Sequence, residues 1–147
     1  MKKIATLIAI IITTAAAQAG NILVYSYDAS KLLGTEYAND FRQAKEQGQP
    51  LYPSVAKAKR IVKQCKPSLV SKQNIATSED NNFLIVSRNG NVTAQLLGAN
   101  MMLAPLPPGA QQINVNPESS VVSFLPSSSA YPKGLFILAY STCRPQN

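Results

Sequence analysis

The sequence predicts an α+β fold in which two N-terminal helices pack on a mainly antiparallel sheet of about five to seven strands. Three observations support this prediction. Apolar residues recur at helical spacing between Thr35 and Lys66, β-forming runs dominate after Pro67, and an Asn89-Gly90 pair separates two of those runs. The 147 residues are enough for one domain with its own core.

The first strand is predicted at Ile22 to Tyr27, where β-forming residues are concentrated, and a turn from Asp28 to Gly34 follows it. The first helix is predicted from Glu36 to Gln47, because its apolar residues share one face. Thr35 is the expected N-cap, and Gly48 is the expected end.

A second helix is predicted from Val55 to about Lys66, between an N-cap at Ser54 and the helix-ending Pro67. Its inward face carries Val55, Ala58, Ile61, Val62 and Cys65.

The second half is predicted to be strand-rich. The Asn89-Gly90 pair favours a tight type I′ hairpin, because both central residues of that turn need a positive φ. A polar loop is expected at Thr77 to Asn82. The predicted strands are Leu69 to Ile75, Phe83 to Ser87, Val92 to Leu97, Met101 to Leu103, Ile113 to Val115, Val121 to Leu125 and Leu135 to Tyr140.

The N-terminus has the organisation of a secretory signal peptide. Two lysines precede an apolar run from Ile4 to Ala17, and Ala17-Gln18-Ala19 provides the small residues of a cleavage site. The run is shorter than the ~20 residues of a membrane-spanning helix. We therefore expect residues 1–19 to be removed, and residues 20–147 to form a single periplasmic or secreted domain.

The sequence contains two cysteines, Cys65 and Cys143. In an oxidising compartment they can form one intrachain disulfide, and we expect that bond. It would close a long loop and contribute about 4 kcal/mol on the chain-entropy model.

Composition argues against several kinds of enzyme. The chain has no His, which removes the commonest general base and metal ligand, and two cysteines alone cannot hold a structural zinc. No nucleotide-binding glycine loop or nucleophile motif occurs. We expect no metal and no cofactor.

Five of the basic residues lie within the second helix and its end, with no acid among them. They could bind an acidic protein, an anionic polymer or a membrane surface, or they could form a solvated helix face. Nucleic acid is not expected, because no aromatic residues are interleaved. The five are Lys57, Lys59, Arg60, Lys63 and Lys66.

Two further features have both a functional and a structural interpretation. Glu36 and Asp40 lie four residues apart and could form a catalytic carboxylate pair, whereas Asp28 before Ser30 and Lys31 is explained by capping. Met101 to Leu103, beside a Pro-rich connector, are expected to pack in the core, and otherwise to form an exposed apolar patch.

The layout resembles the type IV pilins and the pseudopilins of type II secretion, through Leu106-Pro-Pro-Gly109 and the apolar strand residues that follow it. That resemblance implies a structural subunit with a small antiparallel sheet. The N-terminal Gly-Phe-Thr-Leu-Ile-Glu motif of those families is absent. Leu135 to Tyr140 is similar to the last strand of fimbrial subunits, with side chains alternating inward and outward.

The function predicted from these features is that of an exported, non-enzymatic binding protein. It would act on another macromolecule of the cell envelope as an inhibitor, an immunity factor or an accessory to assembly. The alternatives are a pilin-like or fimbrial subunit, and a small hydrolase of envelope polymers that uses paired carboxylates.

Overall fold

The computed structural model describes residues 20–32, 35, 37–75, 79–126 and 130–142. The predicted signal peptide, Glu36 and Cys143 lie outside the described residues. The described strands are β1 (Gly20–Asp28), β2 (Ser68–Ile75), β3 (Asn81–Arg88), β4 (Asn91–Gly98), β5 (Ala110–Val115), β6 (Val121–Leu125) and β7 (Leu135–Ser141). The helices are α1 (Ala29–Leu32), α2 (Ala38–Gln47) and α3 (Val55–Cys65).

The strands form two antiparallel sheets rather than the single predicted sheet. One sheet has the order β2-β1-β7-β6, and the other has the order β4-β3-β5. Every strand pair is antiparallel, as predicted. The helices are not N-terminal, since β1 precedes them, and the described residues form three helices rather than two.

The four-stranded sheet is the middle layer, with the helices packed on one face and the second sheet on the other. Phe136, Leu138 and Tyr140 of β7 contribute to a core shared with the helices, whereas Ile137 and Ala139 contribute to a core shared with the second sheet. All seven residues of β7 are buried. The resemblance to fimbrial subunits implied that side chains of this strand alternate between the core and the solvent. That prediction is wrong, because helices cover the face that was expected to be exposed.

The predicted turn after β1 is a short helix. The Asp28 carboxylate accepts the main-chain N–H of Ser30 at 3.0 Å and its hydroxyl at 2.7 Å. These bonds cap the start of α1 and confirm the capping interpretation of the Asp28-x-Ser30 pattern. The Ser30 hydroxyl also lowers the pKa of the Asp28 carboxyl below its ordinary value.

The two longer helices follow their local signals closely. Ser54 Oγ accepts the N–H of Lys57 at 3.1 Å, which confirms Ser54 as the N-cap of α3, and Lys66 ends that helix with a φ of 50°. Gly48 ends α2 with a φ of 64°. The start of α2 was predicted too early. Thr35 Oγ1 instead bonds the N–H of Tyr37 at 3.2 Å, just before the helix.

The hairpin between β3 and β4 is confirmed, with φ angles of 49° at Asn89 and 83° at Gly90. The predicted polar loop was wrong at its end, because β3 already begins at Asn81. Asn81 and Asn82 are buried, and their amides donate to the carbonyl oxygens of Glu79 and Gly98. Those bonds let two polar residues enter the sheet.

Replacing Tyr27 with Phe is expected to stabilise the protein by about 1 kcal/mol, because an unpaired buried hydroxyl carries a desolvation penalty. Tyr27 is 6% exposed, and its hydroxyl is buried with no hydrogen-bond partner among the described residues. Burial also raises the pKa of this phenol far above its ordinary value. Urea denaturation of the variant and the wild type measures the difference.

The matched control is Tyr37→Phe. The hydroxyl of Tyr37 donates to Gln64 Oε1 at 2.9 Å, so its removal is expected to cost about 1 kcal/mol. If Tyr27→Phe destabilises the protein as much as Tyr37→Phe does, the hydroxyl of Tyr27 is paired and the expectation fails.

Candidate binding surfaces

The five basic residues predicted as a binding stripe are divided by the structure. Lys57 is half-buried, and its ammonium lies 3.1 Å from Asp40 Oδ2 of α2. Its charge is therefore compensated within the fold. The other four are exposed, and no carboxylate of the described chain lies within 4.0 Å of them: Lys59, Arg60, Lys63 and Lys66.

The remaining basic face also has a local structural role. Lys63 lies in the last turn of α3, and Lys66 directly follows it as the C-cap. Cations near a helix C-terminus interact favourably with the helix dipole, by about 0.3–1 kcal/mol each at exposed sites. The opposite face buries Ala58 and Ile61 in the helix–sheet core. The positions of Lys63 and Lys66 are thus explained without a partner.

Several carboxylates that could support hydrolysis have other partners. Asp40 pairs with Lys57, and Glu46 lies 3.9 Å from Arg42 in an exposed pair. No group of three or more metal-ligating side chains occurs among the residues that the structure describes.

The segment of residues 101–106, here called the apolar strap, is neither a strand nor part of the core. Met102 is 83% exposed, and Met101 is 49% exposed. The predicted strand at Met101 to Leu103 and its predicted packing in the core were therefore wrong, and the alternative, an exposed apolar patch, is confirmed. The strap follows the end of β4 at Gly98 and overlaps the Pro-rich connector of residues 104–109, in which proline lacks the N–H that a paired strand donates.

One side chain anchors the strap to the second sheet. Gln112 Oε1 accepts the N–H of Leu103 at 3.0 Å, and Gln112 Nε2 donates to the carbonyl oxygen of Met101 at 2.7 Å. A single amide of β5 thus replaces the main-chain pairing that a strand would have made. These bonds hold the apolar side chains of the strap at the surface.

The strap borders a groove of about 410 Å³. Its lining carries no charged side chain. Six large apolar side chains of the described chain are exposed, and four of them line this groove. The four are Tyr52, Met102, Leu103 and Leu106.

The polar side chains of the groove bond to one another and to the main chain. Gln111 Nε2 donates to the carbonyl oxygen of Phe124 at 3.1 Å, and Gln111 Oε1 accepts the hydroxyl of Ser123 at 2.7 Å. Asn114 Nδ2 donates to Asn82 Oδ1 at 3.1 Å. Because β5 and β6 are tied together by these bonds, the groove is preformed.

Cys65 is half-buried and packs against the helix–sheet core, which also contains Tyr140. Its predicted partner, Cys143, lies outside the described residues. The groove is thus separate from the predicted basic residues and from the cysteine, none of which lines it. Sequence patterns missed the groove because its walls come from five separate segments.

Among the residues that the structure describes, no helix is long and apolar enough to cross a bilayer. Comparison of the chain with models of protein families, with curated proteins and with solved structures found no match.

Proposed function

We propose that this chain is an exported, non-enzymatic binding protein that acts on another protein of the cell envelope, as an inhibitor, an immunity factor or an assembly accessory. One observation carries the proposal. Most of the large apolar side chains that the described surface exposes gather on one preformed, uncharged groove. Apolar clusters of this kind mark sites of protein contact in soluble proteins. Methionines at such sites adapt to the shape of a partner.

Export and a Cys65–Cys143 disulfide are part of this proposal. The signal-peptide pattern of residues 1–19 supports export. Cys65 ends α3 and packs in the same core as Tyr140, which precedes Cys143 by three residues along the chain. A bond between the cysteines would connect the helix layer to the middle sheet and stabilise the domain outside the cell.

Photo-crosslinking in the native host tests the proposal. A crosslinking amino acid replaces Met102 in the full chain, and a matched variant carries it at Lys45, an exposed residue of α2. We expect a discrete protein adduct from position 102 and none from position 45. Mass spectrometry of the purified product is expected to show Gly20 as the N-terminus and the two cysteines joined.

A second change identifies the surface that binds. Leu106→Asp places a charge in the uncharged groove and is expected to reduce the adduct at least about tenfold, the equivalent of 1.4 kcal/mol. Lys59, Lys63 and Lys66 all changed to Gln should leave the adduct unchanged. No adduct at position 102, or equal adducts at positions 102 and 45, would reject the proposal. Loss of the adduct only in the triple Gln variant would assign binding to the basic face.

A further inference from the structure

The strand β5 lies at the edge of its sheet and has a defined set of outward main-chain groups. Of the strands that the structure describes, it pairs only with β3, in a register that continues from Val86–Ala110 to Ser87–Gly109. The N–H of Ser87 donates to the carbonyl oxygen of Gly109 at 3.0 Å, so this is a hydrogen-bonded pair. In an antiparallel ladder such pairs alternate. Odd-numbered residues of β5 therefore bond to β3, and even-numbered residues direct their main-chain groups outward.

Three residues of β5 have outward main-chain groups: Ala110, Gln112 and Asn114. The N–H of Ala110 already donates to the carbonyl oxygen of Pro107 at 3.2 Å. Among the residues that the structure describes, no hydrogen bond engages the main-chain N–H or C=O groups of Gln112 and Asn114 on this side. The strap bonds only to the side chain of Gln112.

The neighbouring edge, that of β6, is treated differently by the same chain. Leu51 and Val122 exchange two main-chain hydrogen bonds, of 2.9 and 2.8 Å, and Ser120 donates to the carbonyl oxygen of Pro53 at 2.9 Å. The chain thus covers this edge with its own residues. An uncovered edge is a template for another strand, and the edge of β5 lies beside the apolar groove.

We infer that the edge of β5 accepts an extended, uncharged segment of another protein as an added strand. This inference rests on the function proposed above. Gln112 and Asn114 lie two positions apart, a distance of about 6.6–6.8 Å along a strand. This distance matches the spacing of the outward main-chain groups on an incoming strand. Alternate apolar side chains of that segment would enter the groove, which also contains Ile113 and Val121.

The absence of charged side chains from the groove lining determines which kind of segment can bind there. Because no charged side chain lines the groove, burying a charged residue there would leave it without a counterion. A second copy of this chain is a poor occupant, since each exported copy, residues 20–147, carries a net charge of +5 and would repel the other. A neutral segment of a different protein fits both conditions.

Peptide selection tests the inference directly. The purified full chain selects binders from a displayed library of random peptides about twelve residues long, enough for a strand of the usual 5–6 residues. The tightest binder is synthesised, and its dissociation constant is measured by calorimetry. We expect selected peptides rich in β-branched and aromatic residues and free of charge over the bound segment.

Two substitutions at one position separate main-chain pairing from side-chain contact. Asn114→Pro removes the outward N–H, and proline is tolerated at a strand edge whose N–H faces away from the sheet. Asn114→Ala keeps the N–H, and both variants lose the bond from Asn114 to Asn82. We expect the peptide to bind Asn114→Pro about tenfold more weakly, and Asn114→Ala within about twofold of wild type.

Hydrogen exchange provides a second measurement that needs no variant. Bound peptide is expected to slow exchange at the amides of Gln112 and Asn114, and to leave those of Gln111 and Ile113 unchanged, because β3 already protects them. This result stands even if Asn114→Pro does not fold.

Three results would overturn the inference. The first is a library that yields no binder. The second is equal binding of the peptide by the Asn114→Pro and Asn114→Ala variants, without new protection of the amides. The third is a concentration-dependent dimer of the wild type that Asn114→Pro abolishes, because that result would place a second copy of the chain on the edge of β5. The two proposals fail separately. An adduct at Met102 that persists fully in Asn114→Pro would retain the binding function and reject the added strand. Peptide pairing without any adduct would reject the binding function alone.

Discussion

Phe136→Ala is expected to lower the free energy of unfolding by about 3–5 kcal/mol, the usual cost of removing a buried aromatic ring. Phe136 is fully buried in β7, in the middle layer of the fold. Its ring centroid lies 6.0 Å from that of Phe41 in α2 and 5.2 Å from that of Phe124 in β6. The substitution leaves a cavity where helices and sheet meet, and rigid neighbours can collapse into it only partly.

Chemical denaturation at a fixed, oxidising condition measures this loss. A small domain has about 5–15 kcal/mol of stability in total, so the variant should unfold at a much lower urea concentration. The matched control is Phe136→Leu, which keeps most of the apolar volume and should cost less than the Ala variant. Equal losses in the two variants would show that ring volume does not determine the stability of this core.

Gly134→Ala is expected to cost about 2–5 kcal/mol, from backbone strain of about 1–2 kcal/mol and a collision of about 1–3 kcal/mol. Gly134 has a φ of 88°, and a Cβ added there would lie 2.6 Å from the carbonyl oxygen of Leu125 and 2.6 Å from the ring of Phe124. The main chain of Gly134 also accepts the N–H of Ala29 at 2.9 Å. The residue therefore cannot move away without disturbing the start of α1.

Gly48→Ala is the control that separates strain from collision. Gly48 has a similar φ, 64°, but an added Cβ would meet nothing within 4 Å. Its substitution should cost only the strain, about 1–2 kcal/mol. The difference between the two variants in thermal or urea unfolding then measures the collision. If both variants lose the same stability, the close approach at Gly134 has no energetic consequence.

Features that depend on a few neighbouring residues were predictable. Ser54 accepts an N–H three residues later, Gly48 adopts the positive φ that ends α2, and Asn89-Gly90 forms its turn, each by interactions within one helical turn or hairpin. The strand content after Pro67 was also predictable, because β-forming runs and turn residues alternate there.

The candidate binding groove was not predictable, because its parts lie far apart in the sequence. Tyr52 comes from the segment after α2, the strap from the segment after β4, and Ile113 from β5. Exposed methionines have the same sequence signature as buried ones. What places Met102 outside is the bond from Gln112 to the strap and the absence of pairing partners for a Pro-rich segment.

The sequence by itself determined the fold class, the Asn89-Gly90 turn, the Ser54 cap and the end of α2 at Gly48, because these depend on local propensity and on spacing along the chain. The tertiary structure decided how the strands divide into two sheets, why β7 is buried on both faces, and that Lys57 is neutralised by Asp40. It also decided that β5 keeps a free edge while β6 does not. Each of these features depends on which distant segments come into contact. The local sequence of an apolar strand or around a lysine does not indicate which segment will pack against it.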